Sequence, residues 1–326
     1  MKAIVQDAYG DADVLALREI DKPPIGDDEV LVQVRAAAVD PGVWILMTGR
    51  PYLVRLMGFG LRRPKARVRG RDLAGVVAAV GPRVTRFQPG DEVYGTCDRG
   101  SYAEFAAAPE RLLARMPSGL SFEQAAVVPV SGGTALQSVR KGEVRSGQRV
   151  LVIGAGGGIG TFVVQIAKAA GAAVTGVCSA AKADLVRSLG AEDTMDYTRT
   201  EIDRDGPRYD VVIDTAGDRP LSLLRRAMTP QGTLVLVGGG HDKGRLMGGF
   251  DRALIRAPLV SLFARQRLRN LTAKEDVETL EELGRLIESG AVTPVVDRTY
   301  PLAQAPDAIR HYSERRPAGK IAITIP

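Results

Sequence analysis

The sequence predicts a two-part α/β protein, with a β-rich part built from both ends of the chain and a doubly wound parallel sheet between them. Three observations carry this reading. Short strand-like runs divided by Pro and Gly turns recur through residues 1–120. From Arg149 onward, strands alternate with helices. A glycine-packed turn, Gly154-Ala-Gly-Gly-Gly-Ile-Gly160, joins the first of those strands to an apolar helix. A chain of 326 residues is long enough for two ordinary domains, and 45% apolar with 25% charged residues is a globular composition.

In chain order, strands are expected at Lys2–Gln6, Glu29–Ala37, Gly75–Val80, Glu92–Gly95 and Ser101–Ala107, punctuated by turns such as Gln88-Pro-Gly-Asp91. Ser121 caps a helix with Glu123 in its first turn, and Thr134–Arg140 continues as a second helix. The alternating part has strands at Arg149–Gly154, Ala173–Cys178, Asp193–Asp196, Tyr209–Asp214 and Thr233–Gly238, with helices over 160–170, 181–189 and 219–228. Such alternation builds a parallel sheet covered on both faces. An apolar run, Ala257–Phe263, follows. Then come a helix, Lys274–Ser289, with Leu280, Leu283 and Leu286 on one face, a helix over 302–314 and a strand, Lys320–Ile325. That last strand is expected to return to the β-rich part. The boundaries so drawn are 1–120 with 266–326 for the β-rich domain, and 121–265 for the parallel-sheet domain.

Composition removes several function classes. Net charge is +6, but arginine is spread along the chain without interleaved aromatics or a nucleic-acid motif, so no nucleic-acid partner is expected. Cys97 and Cys178 provide no disulfide framework. The longest apolar stretch, Leu151–Val177, is broken by Gln165, Lys168 and glycines, which speaks against a membrane span. No targeting segment precedes the first strand, and the expected location is cytoplasmic.

The glycine turn is the chemical centre of the sequence. Glycines let a backbone approach a pyrophosphate, and a helix N-terminus offers it free N–H groups and a positive dipole end. In the G-x-G-x-x-G frame the three positions are Ala155, Gly157 and Gly160. Gly154, Gly158 and Gly160 also fit the turn of short-chain reductases. Those proteins carry it near the N-terminus with a Tyr-x-x-x-Lys pair; here it lies halfway along, and none of the eight tyrosines has a lysine four residues later.

Several strings, in order, carry a resemblance over nearly the whole chain. They are Ala36-Ala-Ala-Val-Asp-Pro41, Gly70-Arg-Asp-Leu-Ala-Gly75, Phe87-Gln-Pro-Gly-Asp-Glu-Val93, Gly100-Ser-Tyr-Ala-Glu104, Ser131-Gly-Gly-Thr-Ala135, the glycine turn, Val292-Thr-Pro-Val-Val-Asp-Arg298 and Gly319-Lys-Ile-Ala-Ile-Thr324. The chain resembles the medium-chain dehydrogenase/reductase superfamily, which implies a GroES-like β-rich catalytic domain plus a Rossmann domain. Zinc-dependent members have cysteine where Asp40 stands, histidine where Arg71 stands and cysteine near Val130, together with a four-cysteine lobe. This chain has none of these, and its two histidines, His241 and His311, lie away from those motifs. It is therefore similar to the zinc-independent quinone oxidoreductase branch, with zeta-crystallin and the enoyl and alkenal reductases, and no metal is expected.

The resemblance implies an NADPH-dependent transfer of hydride to a quinone or an α,β-unsaturated carbonyl. Ala155, Gly157, Gly158, Ile159 and Gly160 would cradle the pyrophosphate. No acid ends the second Rossmann strand, where one would hold an NAD ribose; Ser179, Lys182 and Tyr197 there suit a 2′-phosphate. Ser179 as a helix cap and Lys182 as a solvated charge is the plainer alternative. Asp40 (more often asparagine in the family), Thr134, the backbone of Gly238 and Gly239, and Lys320 are implied at the nicotinamide end. Thr215 would line the adenosine side or cap a helix. Tyr52 is the candidate catalytic residue, as hydrogen-bond donor to the acceptor's oxygen, or else packs a loop. A nucleotide-binding sensor or RNA-binding protein on the same fold, without turnover, stays open. A homodimer through Ala257–Phe263, which the resemblance sets at the far edge of the parallel sheet, is expected, with a small molecule as the other partner.

Overall fold

A computed structural model describes residues 1–237, 257–261, 264–314 and 317–326. It divides into two compact units: 1–133 with 275–290 and 294–326, and 134–274 with 291–293. The first division thus falls at Gly133–Thr134, inside a helix, where the sequence sets it at residue 120.

The first unit contains β1 (Lys2–Gln6), β2 (Leu15–Glu19), β3 (Glu29–Val39), α1 (Pro41–Thr48), β4 (Asp72–Val80), β5 (Glu92–Thr96), β6 (Phe105–Pro109), β7 (Leu113–Arg115) and α2 (Phe122–Ala126). Helix α3 (Pro129–Gly142) runs across the division. β3 is the spine. Val30, Val32 and Val34 alternate inward and are buried, while their neighbours are half-buried, the period of a strand with one face on the core. Around it runs a seven-stranded sheet that includes β14 (Val296–Pro301) and β15 (Lys320–Thr324) from the end of the chain, in the order β14-β15-β3-β4-β5-β7, and β6 pairs with β3.

Two differences from the sequence reading bear on the site. α1 was not anticipated, although its signals are present: Asp40 caps it, Pro41 opens it, and Gly49 closes it at φ +60°. The strand expected at Ser101–Ala107 begins at Phe105. Residues before it are held otherwise: the buried Tyr102 donates its hydroxyl to Ala38 O at 3.0 Å and its N–H to Arg69 O at 2.8 Å.

The second unit holds β8 (Arg149–Ile153), α4 (Gly158–Ala169), β9 (Ala173–Cys178), α5 (Ala183–Ser188), β10 (Asp193–Asp196), β11 (Tyr209–Asp214), α6 (Leu221–Ala227), β12 (Met228–Leu236), α7 (Ala257–Ser261) and β13 (Arg267–Asn270). Its six strands are parallel in the order β10-β9-β8-β11-β12-β13. That is the Rossmann order, with the strand sequence reversing direction between β8 and β11, where open α/β sheets bind ligands beyond their carboxyl ends. β13 had no sequence signal; its arginines disguise a short edge strand. The apolar run at Ala257 is correspondingly not the sheet edge: residues 257–261 are helical, and Leu262 and Phe263 lie outside the described residues.

The chain then supplies α8 (Val277–Glu288), β14 (Val296–Pro301), α9 (Ala305–Ser313) and β15 (Lys320–Thr324) to the first unit. β15 runs antiparallel to β3, Ile321 opposite Val39 and Thr324 opposite Ala36, so the last strand completes the sheet begun near the N-terminus. Among the described residues, no helix is long and apolar enough to cross a membrane.

Candidate functional site

The parallel-sheet unit carries a backbone cradle. β8 ends at Ile153, Gly154 turns at φ +81°, and α4 starts at Gly158 behind the N-cap Gly157. No side chain caps this twelve-residue helix, so its first N–H groups keep the capacity for an outside acceptor. The glycines are required by space. A Cβ on Gly160 would lie 2.1 Å from Gly154 O, and one on Gly154 would lie 2.6 Å from Thr215 Oγ1. Ala155 stands where the usual pattern has glycine because the opposing strand compensates: a Cβ on Gly176 would come within 3.0 Å of the Ala155 Cβ. An uncapped helix end behind a turn in which Gly154 and Gly160 have no room for a Cβ fits the pyrophosphate of a dinucleotide.

Thr215 braces this turn, donating Oγ1 to Ile153 O at 2.7 Å and N–H to the same oxygen at 3.1 Å. It therefore ties β11 to β8 at the reversal point. Ser179 and Lys182 follow β9 on a short 3₁₀ turn, Ala180–Lys182, with no side-chain cap from Ser179. Lys182 lies along the glycine turn: a Cβ on Gly156 would meet its Cδ at 2.8 Å. Tyr197, just past β10 and 56% exposed, donates its N–H to Cys178 O at 3.2 Å, which brings it to the end of β9. The three proposed phosphate residues thus gather at the ends of two neighbouring strands. Ile159 and Gly160 lie in the first turn of α4.

The β-rich unit carries a knot of buried charge. Lys320, 3% exposed, donates Nζ to Val39 O at 2.9 Å and pairs with Asp72 Oδ2 at 3.4 Å. The other Asp72 oxygen accepts Val130 N at 2.9 Å, an anion at the start of α3. Burial raises the Asp72 carboxyl to about 7, against the pull of Lys320, and the neighbouring Asp40 pushes in the same upward direction. Arg71 reaches Glu275 at 2.8 Å and Asp98 at 3.2 Å, and Glu275 also accepts Thr96 Oγ1 at 2.8 Å. Burial works against the Arg71 charge, but Glu275, Asp40, Asp98 and Asp72 together hold its pKa above the ordinary arginine value.

Asp40 is buried at the head of α1, its Oδ1 accepting Gly42 N at 2.6 Å and Val43 N at 3.2 Å. Thr134 is half-buried on α3. Tyr52 is 37% exposed, with the Arg55 guanidinium 4.8 Å from its ring centre; Arg55 also covers Tyr9, at 4.2 Å. Gly238 and Gly239 lie outside the described residues.

Sequence reasoning named Lys320 and Asp40 but missed their setting. Asp72 and the Arg71–Glu275 pair were not proposed as site residues. The available signal was an acid at the head of an otherwise apolar strand, Asp72-Leu-Ala-Gly-Val-Val77. Among the described residues, no three His, Cys, Asp or Glu side chains converge as a metal set would.

A family model described as "Zinc-binding dehydrogenase" matches residues 189–323, and one described as "Alcohol dehydrogenase GroES-like domain" matches residues 26–118. The chain is 32% identical to the 2-methylene-furan-3-one reductase of Solanum lycopersicum, over 99% of this chain and 79% of that one. It is 33% identical to the chloroplastic NADPH-dependent alkenal/one oxidoreductase of Arabidopsis thaliana, with the same two coverages. The solved quinone oxidoreductase from Coxiella burnetii superposes with a TM-score of 0.86 at 26% identity, covering 100% of this chain and 99% of that one.

Proposed function

The chain belongs to the medium-chain dehydrogenase/reductase superfamily, in its zinc-independent quinone and alkenal oxidoreductase branch, and from that premise we propose that NADPH is its working reductant. It is an NAD(P)H-dependent oxidoreductase that passes hydride to quinone- or enone-type acceptors without zinc. A nicotinamide cofactor supplies the hydride; the chain's part is to hold it, orient the acceptor and stabilise the developing oxyanion.

One observation carries the preference for NADPH. Lys182 lies along the glycine turn and follows Ser179 past the end of β9, the ribose position, which carries no acid; Asp196 ends the neighbouring β10, before Tyr197. A lysine there favours a 2′-phosphate through a charge-assisted contact of about 1.5–3 kcal/mol. In this proposal Ala155, Gly157, Gly158, Ile159 and Gly160 face the pyrophosphate, with Thr215 bracing them. Asp40, Thr134, Lys320 and the Gly238–Gly239 backbone serve the nicotinamide end. Tyr52 is the donor to the acceptor's oxygen.

The expected result is tighter binding of NADPH than NADH in fluorescence titration, with most of that difference removed by Lys182→Ala. Equal affinities in the parent protein would end the preference. Oxidation of NADPH by a panel of quinones and enones, followed by absorbance, identifies the acceptor class. A homodimer also belongs to this proposal, with β13 as the edge available for pairing; sedimentation at micromolar concentration checks it.

A further inference from the structure

We propose that the β-rich unit carries a second ligand site, for an anionic amphiphile: a phosphate monoester held by the loop 59–67, with its apolar chain against Leu56, Met57, Phe59 and Leu61. The glycine turn belongs to the other unit and takes no part in it. A cavity of about 860 Å³ is lined by Gln6 and Asp7, at the end of β1, and by residues 60–65 and Arg67. The loop that walls it has a fixed shape. Lys65 N donates to Phe59 O at 2.9 Å and closes it, and the Tyr9 hydroxyl donates to Gly60 O at 2.6 Å. Gly60 turns at φ +113°, where a Cβ would lie 2.0 Å from Arg63 O.

The charge on this wall is unbalanced. Other arginines of the unit meet acids: Arg18 and Arg67 share Asp7, Arg99 takes Glu29 and Arg115 takes Asp91. Arg62, Arg63 and Lys65 are exposed along the cavity and have no ion pair among the described residues. Behind them Arg69 is buried, donates to Ala66 O, and has an Nε without a partner among the described residues. Burial lowers its pKa to about 10, which leaves it charged at neutral pH. Gln6 Nε2 is fixed by Ala8 O and Met47 O, at 2.7 Å each, while its buried Oε1 accepts no hydrogen bond from the described residues. The cavity thus presents several cations and one acceptor that lacks a donor. A phosphate monoester answers both, carrying about −1.5 to −2 charges at pH 7 and, near its second pKa of about 6, retaining an O–H. A carboxylate brings a single charge and no hydrogen.

Clustering of exposed apolar groups points to the ligand's other half. Among the described residues eight large apolar or tyrosine side chains are exposed, and five of them fall between Tyr52 and Leu61. Leu56 is 71% exposed, Met57 67% and Leu61 63%, and Leu61 also lines the cavity. A single exposed leucine is ordinary; a run of them leading into unpaired cations is not. An alkyl phosphate covers both, its chain removing the apolar run from water while its head group meets the charges.

Calorimetric titration of the whole protein tests this, with NADPH saturating so that the glycine turn is occupied. Dodecyl phosphate, kept below the concentration at which it forms micelles, should saturate a single site. The combined variant Arg62→Gln, Arg63→Gln, Lys65→Gln should weaken that binding by about tenfold or more. The pair Met57→Ser, Leu61→Ser should weaken dodecyl phosphate by about tenfold and leave inorganic phosphate unchanged. All five side chains are exposed, so thermal melts should match the parent. Equal affinity for inorganic and dodecyl phosphate overturns the apolar half, and equal affinity for dodecyl trimethylammonium overturns the phosphate half. Binding that survives both variants, or that appears only on vesicles of phosphatidic acid, overturns the site as a whole. Failure of the parent to bind NADPH overturns the cofactor reading instead, and the loop variants still decide this one.

Discussion

The glycine turn of the parallel-sheet unit and the charged knot of the β-rich unit are built by opposite means. Around Gly154–Gly160 the chain removes side chains, and the first N–H groups of α4 are left without a side-chain cap. Around Asp40, Asp72 and Lys320 it does the reverse, burying full charges and satisfying most of them internally. The first arrangement is stiff at Gly154 and Gly160, where an added atom has nowhere to go. The second is poised, because removing one member leaves its partner charged in the interior.

The largest effect should come from breaking the backbone site. Gly160→Val puts a branched side chain where a single Cβ already lies 2.1 Å from Gly154 O. The turn must open and α4 must shift, so NADPH titration should show affinity reduced by about a thousandfold or more. Overpacking also destabilises, typically by about 1–3 kcal/mol, which a melt would register. A variant that binds NADPH like the parent would mean the phosphate is held elsewhere.

Next in size is the charged knot. Lys320→Met keeps the stem and leaves Asp72 buried without its ion-pair partner, at an expected cost of about 3–5 kcal/mol in urea unfolding near pH 8. Adding Asp72→Asn should recover a good part of that loss, since the pair is then removed together. The pH dependence has a definite sign. Asp72 has a raised pKa, so what it contributes to stability is present below its unfolded value and is lost as pH rises through about 7. The deficit of Lys320→Met should therefore shrink as pH falls from 8 toward 5, as Asp72 takes up its proton and ceases to need a counter-ion. A deficit independent of pH would assign the cost to packing.

The same contrast explains what could be read from the chain alone. A backbone site is local: strand, turn and helix occupy one continuous stretch, and glycine spacing announces it. Five of the six parallel strands were equally plain, since buried β-branched runs such as Val150-Leu-Val-Ile153 leave few alternatives. The knot is distributed. Lys320 and Asp72 are 248 residues apart and Arg71 and Glu275 are 204 apart, so nothing in either neighbourhood points to the partner. Asp40 was named for its place in a family string, while its cap of α1 went unread despite the Asp40-Pro41 signature. β13 was missed because its strand character comes from pairing with β12 and not from Arg267-Leu-Arg-Asn270 itself.

Tyr52 tests whether the β-rich unit also contributes an exposed group, and it should give the smallest effect. Its ring is fixed by Arg55, which is itself tied to Gly49 O at 2.9 Å. A braced loop of this kind is what a donor to an enolate oxygen would need. Yet the residue is 37% exposed, and water can replace much of what one donor supplies. Donors in dry oxyanion sites contribute a hundredfold or more; here Tyr52→Phe should lower kcat for enones by about tenfold and leave NADPH affinity unchanged. Quinones should respond less, because their product anion is already delocalised over the ring. The guanidinium of Arg55 lies over the ring face, which Phe retains, so a loss of loop packing is not expected to confuse the result. Unaltered kcat for both acceptor classes would return Tyr52 to the loop and leave water as the donor, whereas an equal fall for both would tie the hydroxyl to a step the two acceptors share.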